Sequence, residues 1–135
     1  MKDSDFKTGL SPVWEDYLKL VLELNETQGE ARVTDIANRL NVTKATVSQT
    51  VKKLIIFGLA QKGNNRLIVL TDSGKKQALK IKTRNIVINR FLTEILGVDR
   101  KISERDACKI EHLLSCETIE KIEGFCSDSQ NSDVI

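Results

Sequence analysis

The sequence predicts a mainly α-helical protein, a winged helix-turn-helix domain followed by an all-helical domain. Three observations predict it. Two apolar-faced helical stretches flank the three-residue turn Asn41-Val42-Thr43. Two short apolar runs then flank Gly63-Asn64-Asn65, and from Ser73 onward apolar residues recur at helical spacing almost to the end.

The elements follow in order. Ser11 and Pro12 supply a cap and a first helical position, and Trp14, Tyr17, Leu18, Val21 and Leu24 then keep helical spacing, so a first helix runs to near Gly29. "VTDIANRL", with Thr34 as its cap, places Ile36, Ala37 and Leu40 on one face. After the turn, "KATVSQTVKKLIIFG" sets Ala45, Val47, Val51, Leu54 and Ile55 roughly on one side and closes at Gly58. The strands around Gly63-Asn64-Asn65 form a hairpin, because Gly and Asn accept positive φ cheaply. Residues 1–72 are therefore expected to form one domain. Beyond it, Ile81, Ile88, Phe91, Leu92, Ile95 and Leu96 make a stripe wider than one small domain needs. "SERDACKIEHLL" opens with a capping arrangement of Ser103 and Asp106 and carries Ala107, Ile110 and Leu114, and "CETIEKIEGF" adds Ile119, Ile122 and Phe125. Three helices with surplus apolar surface predict a homodimer, with residues 73–126 as the dimerisation domain and 127–135 as a disordered polar tail.

At 135 residues the chain has room for one good core or two small domains, too little for most multidomain enzymes. Its 40% hydrophobic and 30% charged residues are ordinary for a folded protein, and no apolar run approaches the ~20 residues that span a bilayer. "MKDSDFKTGL" lacks the apolar core of a secretory signal, and Cys108, Cys116 and Cys126 form no pairable framework. No membrane association and a cytoplasmic location are expected. The charge is segregated: Ile36 to Thr71 holds no Asp or Glu but carries Arg39, Lys44, Lys52, Lys53, Lys62 and Arg66, leaving −4 for the rest of a chain whose net charge is +2. Such segregation gathers positive potential where a phosphate backbone can be met.

In a helix-turn-helix the second helix enters the major groove and its N-terminal residues reach base edges. Here that end offers Thr43, Lys44, Ala45, Thr46, Ser48 and Gln49: small residues for close approach, hydroxyls for phosphates or bases, and in Gln49 an amide able to pair bidentately with adenine. Lys52, Lys53, Lys62 and Arg66 are expected to hold phosphates of double-stranded DNA, fixing register without reading sequence. A winged helix used only for protein contact is disfavoured by the missing acidic residues.

Cys108, Glu111 and His112 stand at helical positions i, i+3 and i+4, which share a face. Thiolate, carboxylate and imidazole together suit a borderline divalent transition metal better than calcium. Spacing alone leaves open an ordinary surface histidine beside a buried cysteine, since three residues do not close a site.

The stretches "WEDYLKLVLEL", "ATVSQTVKKL", "LTDSGKK" and "ACKIEHLLS" together resemble the diphtheria toxin repressor and manganese transport regulator family, over about Trp14 to Phe125, in its two-domain form without the SH3-like domain of longer relatives. The resemblance implies a metal-dependent repressor that binds a palindromic operator as a homodimer, with a divalent transition metal, Mn(II) or Fe(II), as co-repressor and metal-uptake genes as targets. It also implies a fourth ligand, Asp16. The shell is then a hybrid: iron-responsive members place Met and Cys where Asp16 and Cys108 stand, and manganese-responsive members place Asp and Glu. The family's second metal position falls on Lys19, Asn85, Asn89 and Glu104, where relatives use Glu or His, so one metal per chain is expected.

Two rivals bracket this reading. A winged-helix repressor answering a small molecule or thiol oxidation through Cys108 would bind DNA regardless of chelators. An enzyme using Cys108 as nucleophile and His112 as base lacks a third orienting group, so no enzymatic activity is expected.

Overall fold

The computed structural model describes the backbone of residues 6–132. Its elements are α1 (Pro12–Thr27), α2 (Val33–Leu40), α3 (Lys44–Ile56), β1 (Ala60–Lys62), β2 (Ile68–Leu70), α4 (Asp72–Arg90), α5 (Arg100–Ile110) and α6 (Cys116–Ser132). They divide into two compact units, Leu10–Leu79 and the residues outside that range.

In the first unit the ends of the helices are set by local chemistry. Ser11 Oγ accepts the Trp14 N–H at 3.2 Å, and Pro12 follows at the first helical position, where its missing donor costs nothing. Helix α2 begins one residue before the expected cap Thr34: the Asp35 carboxylate reaches back to the Arg32 N–H at 3.3 Å, so the orphan donor is satisfied from inside the helix. Asn41 then takes the left-handed conformation, φ 57° and ψ 49°, and Thr43 caps α3 by accepting the Thr46 N–H at 3.1 Å. Val47, Val51 and Leu54 are the buried face of α3, together with Ile36 and Ala37 of α2 and Tyr17, Leu18 and Val21 of α1. Ala45, expected on that face, is exposed, because it lies in the first turn on the side away from Val47 and Val51.

The wing is an antiparallel pair in the register Ala60↔Leu70, Gln61↔Val69, Lys62↔Ile68. At its tip the positive φ values fall on Asn65 and Arg66, while Gly63 keeps φ −89°. Strand β2 is anchored at Ile68, whose N–H donates to Ala31 O at 2.8 Å and whose carbonyl accepts from Asn25 Nδ2 at 3.1 Å. Thr71 then joins wing to helix: its hydroxyl donates to Gly58 O at 2.6 Å and accepts the Gly74 N–H at 3.1 Å. A Cβ on Gly74 would lie 1.9 Å from the Leu59 carbonyl oxygen, so only glycine fits that approach.

The second unit is centred on Phe6, Val87 and Ile119, with Leu114, Cys116 and Ile122 packed against them. Phe6 therefore belongs to the C-terminal unit, whereas the domain reading placed it in 1–72; a lone apolar residue among polar neighbours carries no periodicity to reveal its partner. The other boundary falls inside α4 rather than at residue 72, because Thr71 and Gly74 pin the first turn of that helix to Gly58 and Leu59. After Arg90 the helix widens over Phe91–Ile95, with Leu96 N–H donating to Phe91 O at 3.2 Å. Asp99, not Ser103, caps α5, accepting the Lys101 N–H at 3.2 Å. Ser103 is instead buried inside the helix. Helix α6 continues to Ser132, which corrects the expected disorder from residue 127; residues 133–135 of that tail lie outside the described range, as do residues 1–5. Of the apolar stripe, Ile81 and Ile88 are buried, and Leu96 is exposed together with Ile86, Ile102, Leu113 and Phe125. Those side chains leave apolar surface that this chain does not cover itself.

Candidate nucleic-acid interface and metal centre

On the first unit the reading residues stand opposite the buried face of α3. Ala45, Gln49 and Lys52 are exposed and Ser48 is half-buried, and their spacing puts them on the flank away from Val47, Val51 and Leu54. Thr43 and Thr46 are committed to the helix start, their hydroxyls 2.9 Å apart, so they hold the end of the helix as well as presenting oxygen. Lys44, Lys53, Lys62 and Arg66 are exposed. Arg39, the remaining cation of the acid-free stretch, is ion-paired with Glu23 at 3.1 Å. Positive charge is thereby concentrated on α3 and the wing.

On the second unit the expected metal-ligating residues sit where α5 ends. Cys108 lies in its last turn, Glu111 at its C-terminal cap with φ −59° and ψ −25°, and His112 in the turn beyond. The helical phase carries through Glu111, which is why the i, i+3 relation holds past the last helical residue. Glu111 is completely buried and the His112 side chain 7% exposed, with His112 Nε2 3.4 Å from Glu111 Oε1. Cys108 is exposed and stands beside Glu111 through a shared neighbour: Asn85 Nδ2 donates to Glu111 Oε2 at 2.8 Å and lies 3.8 Å from Cys108 Sγ. Arg84 Nη1 holds the Glu111 carbonyl at 2.9 Å. Asp16 lies on α1 in the first unit, half-buried.

This donor set fits a divalent transition metal. A carboxylate removed from water is retained when it is paired or bound to a cation, and this one is buried beside an imidazole with a thiol at its edge, a mixture of oxygen, nitrogen and sulfur suited to borderline ions. The other cysteines are unlike Cys108. Burial pushes the Cys126 thiol up, outweighing the pull of Arg90, so it stays protonated and poorly nucleophilic.

Sequence reasoning missed Arg84 and the amides around Glu111. Asn89 Nδ2 donates to Asn85 Oδ1 at 3.3 Å, and Ser103 Oγ bonds Asn89 Oδ1. Their signal was present in the i, i+4 spacing of Asn85 and Asn89 on α4. Glu104, the remaining acid of the family's second position, pairs with Arg100 at 3.4 Å.

A basic winged helix joined to a helical unit that sets a buried carboxylate beside an imidazole defines a class, the metal-responsive winged-helix regulators. Comparison with known proteins agrees. The N-terminal DNA binding domain of iron dependent repressors matches residues 9–64, and their metal binding and dimerisation domain matches residues 71–132. The transcriptional regulator MntR of Bacillus subtilis is 37% identical over 112 residues, covering 83% of this chain and 78% of that protein. A helix-turn-helix transcriptional regulator of Methanocaldococcus jannaschii is 36% identical over 112 residues, covering 82% of this chain and 90% of that one. Among solved structures, a manganese-dependent transcriptional repressor in complex with manganese superposes with a TM-score of 0.77 at 29% identity, over 84% of this chain and 52% of that one. The chain thus spans about half the length of that solved structure. It belongs to the iron-dependent repressor family of metal-dependent transcriptional regulators, and carries that family's DNA-binding and dimerisation domains.

Proposed function

We propose that this chain represses metal-uptake genes as a homodimer on a palindromic operator when Mn(II) or Fe(II) is held by Asp16, Cys108, Glu111 and His112. The buried Glu111 beside His112 carries the reading, because a carboxylate and an imidazole side by side are donors suited to a divalent transition metal. The family membership and the relatives named for manganese support it. A bound ion would favour whichever arrangement assembles its ligands by about 2.7 kcal/mol at a hundredfold excess over Kd. The residues do the rest. Gln49 reads a base, Lys52, Lys53, Lys62 and Arg66 fix the register on phosphates, and two copies of α3 about one DNA turn, roughly 34 Å, apart meet the two half-sites.

The regulator family supports a DNA-binding protein of the cytoplasm rather than an enzyme; among the described residues no helix is long and apolar enough to cross a membrane. An operator gel shift with Mn(II), Fe(II), Zn(II) and chelator tests the reading. Metal-stimulated binding reversed by chelator is expected; binding indifferent to both would overturn it in favour of a small-molecule or thiol-responsive repressor.

A further inference from the structure

Resting on the reading that Asp16 joins the metal ligands, we propose that Phe6 is a positioning residue: seated in the helical unit, it straps the start of α1 to that unit and limits how far Asp16 can stray from it. The observations lie in the N-terminal arm. Phe6 is completely buried in the core of the second unit with Val87 of α4 and Ile119 of α6, and Leu114, Cys116 and Ile122 pack against that core. The next residue is held from α4 as well, Lys80 Nζ donating to the Lys7 carbonyl at 3.1 Å. At Gly9 the chain turns, with φ 72°, a left-handed value that residues other than glycine adopt reluctantly. At Leu10 it passes into the first unit, where Ser11 caps α1.

The two units are therefore joined covalently twice, at Gly9–Leu10 and again inside α4 at Leu79–Lys80. Through α4, Asp16 is linked to the helical unit only by way of most of the first unit. Through the arm the route is short. Five residues, Lys7 to Ser11, separate the anchored phenyl from the first residue of α1, and fully extended they span at most roughly 18 Å. A group on a short tether has a high effective concentration at the anchored end, and lengthening the tether dilutes it. An ion that needs Asp16 together with ligands of the helical unit must gather that carboxylate, and the seated arm lowers this cost in advance. Phe6 touches neither ion nor DNA in this account and acts through Asp16.

Lengthening the tether separates this role from simple core filling. Insertion of six alternating glycine and serine residues between Gly9 and Leu10 leaves Phe6 in its core and roughly doubles the tether. Mn(II) titration of the full chain, with free ion read by electron paramagnetic resonance, should show affinity reduced about threefold, the −3/2 power of that lengthening. Thermal melting of the insertion variant should match wild type. Phe6→Ala, which frees the arm altogether, should lower affinity further, roughly tenfold. Phe6→Leu keeps an apolar anchor and should stay within about twofold of wild type. A readout without metal follows the arm itself: trypsin cleavage after Lys7, read by mass spectrometry, should be slow in wild type and in the insertion variant and faster in Phe6→Ala. Wild-type Mn(II) affinity in the insertion variant or in Phe6→Ala would overturn the strap and leave the metal reading standing. So would cleavage after Lys7 that is as fast in wild type as in Phe6→Ala. A wild-type chain that binds no Mn(II), or binds it as tightly after Asp16→Ala, would overturn the ligand reading and the strap with it.

Discussion

In the N-terminal unit the side chains proposed to meet DNA are displayed on a surface that the fold does not need: Ala45, Gln49, Lys52, Lys62 and Arg66 are exposed while Val47, Val51 and Leu54 behind them hold the core. In the C-terminal unit the reverse holds. Glu111 is completely buried and tied by its carbonyl to Arg84 and by its carboxylate to Asn85, so the proposed recognition chemistry and folding share the same groups. The difference teaches where function is divisible. A reading surface made of exposed groups loses affinity one contact at a time, whereas a ligand cluster fails together.

The sharpest way to break that comparison is to remove one ligand from the cluster. His112→Ala or Asp16→Ala should reduce metal-stimulated operator affinity by more than ~100-fold, since even residues that only orient ligands contribute 10- to 100-fold. The helical signal and dimer should remain by circular dichroism and size-exclusion chromatography. Retained stimulation in either variant would show that the cluster is divisible after all.

Gly74→Ala comes next and tests a fold contact rather than a site. The added Cβ would meet the Leu59 carbonyl oxygen at 1.9 Å, and backbone cannot yield as a flexible side chain can. A loss of about 3 kcal/mol is expected, read as a fall of roughly 10 °C or more in the melting of the N-terminal unit. An unchanged Tm would mean that α4 and the end of α3 can separate at little cost.

These two predictions also mark what could be read from the residues alone. Helix α3, the wing and the basic face were legible because periodicity, turn chemistry and the lack of acid between Ile36 and Thr71 are local signals. Helix caps were read less well. Thr34 and Ser103 are good capping residues by type, but Asp35 and Asp99 won because a carboxylate two or three residues from an orphan N–H reaches it just as well, and because Ser103 was recruited to the Asn89 network. Phe6 was invisible for a different reason: its partners, Val87 and Ile119, lie more than eighty residues away, and nothing in its neighbours encodes them. The proposed ligand trio was visible as spacing, but its meaning came from resemblance, and the amides beside Glu111 were read only as departures from the family's second site.

On the reading surface, Gln49→Ala should cost about 1–3 kcal/mol on the preferred operator and little on unrelated DNA, so that discrimination at one base pair is lost. Its side chain is exposed on α3, outside the core, and binding isotherms on operators mutated one base pair at a time read the effect directly. Equal losses on all sequences would reassign Gln49 to the phosphate backbone.

The smallest effect is expected at the wing. Lys62 is exposed and paired through its backbone with Ile68 in the β1–β2 register, so truncating it to alanine leaves the hairpin intact and removes one charge. Each phosphate contact releases about one condensed counterion, and the slope of log affinity against log salt should therefore fall in magnitude by about 1 in Lys62→Ala. Affinity should drop evenly across operator and non-operator DNA, because a contact to phosphate carries no base identity. A variant whose salt slope matches wild type would place the wing off the DNA, and the concentrated charge of the N-terminal unit would then act through α3 alone.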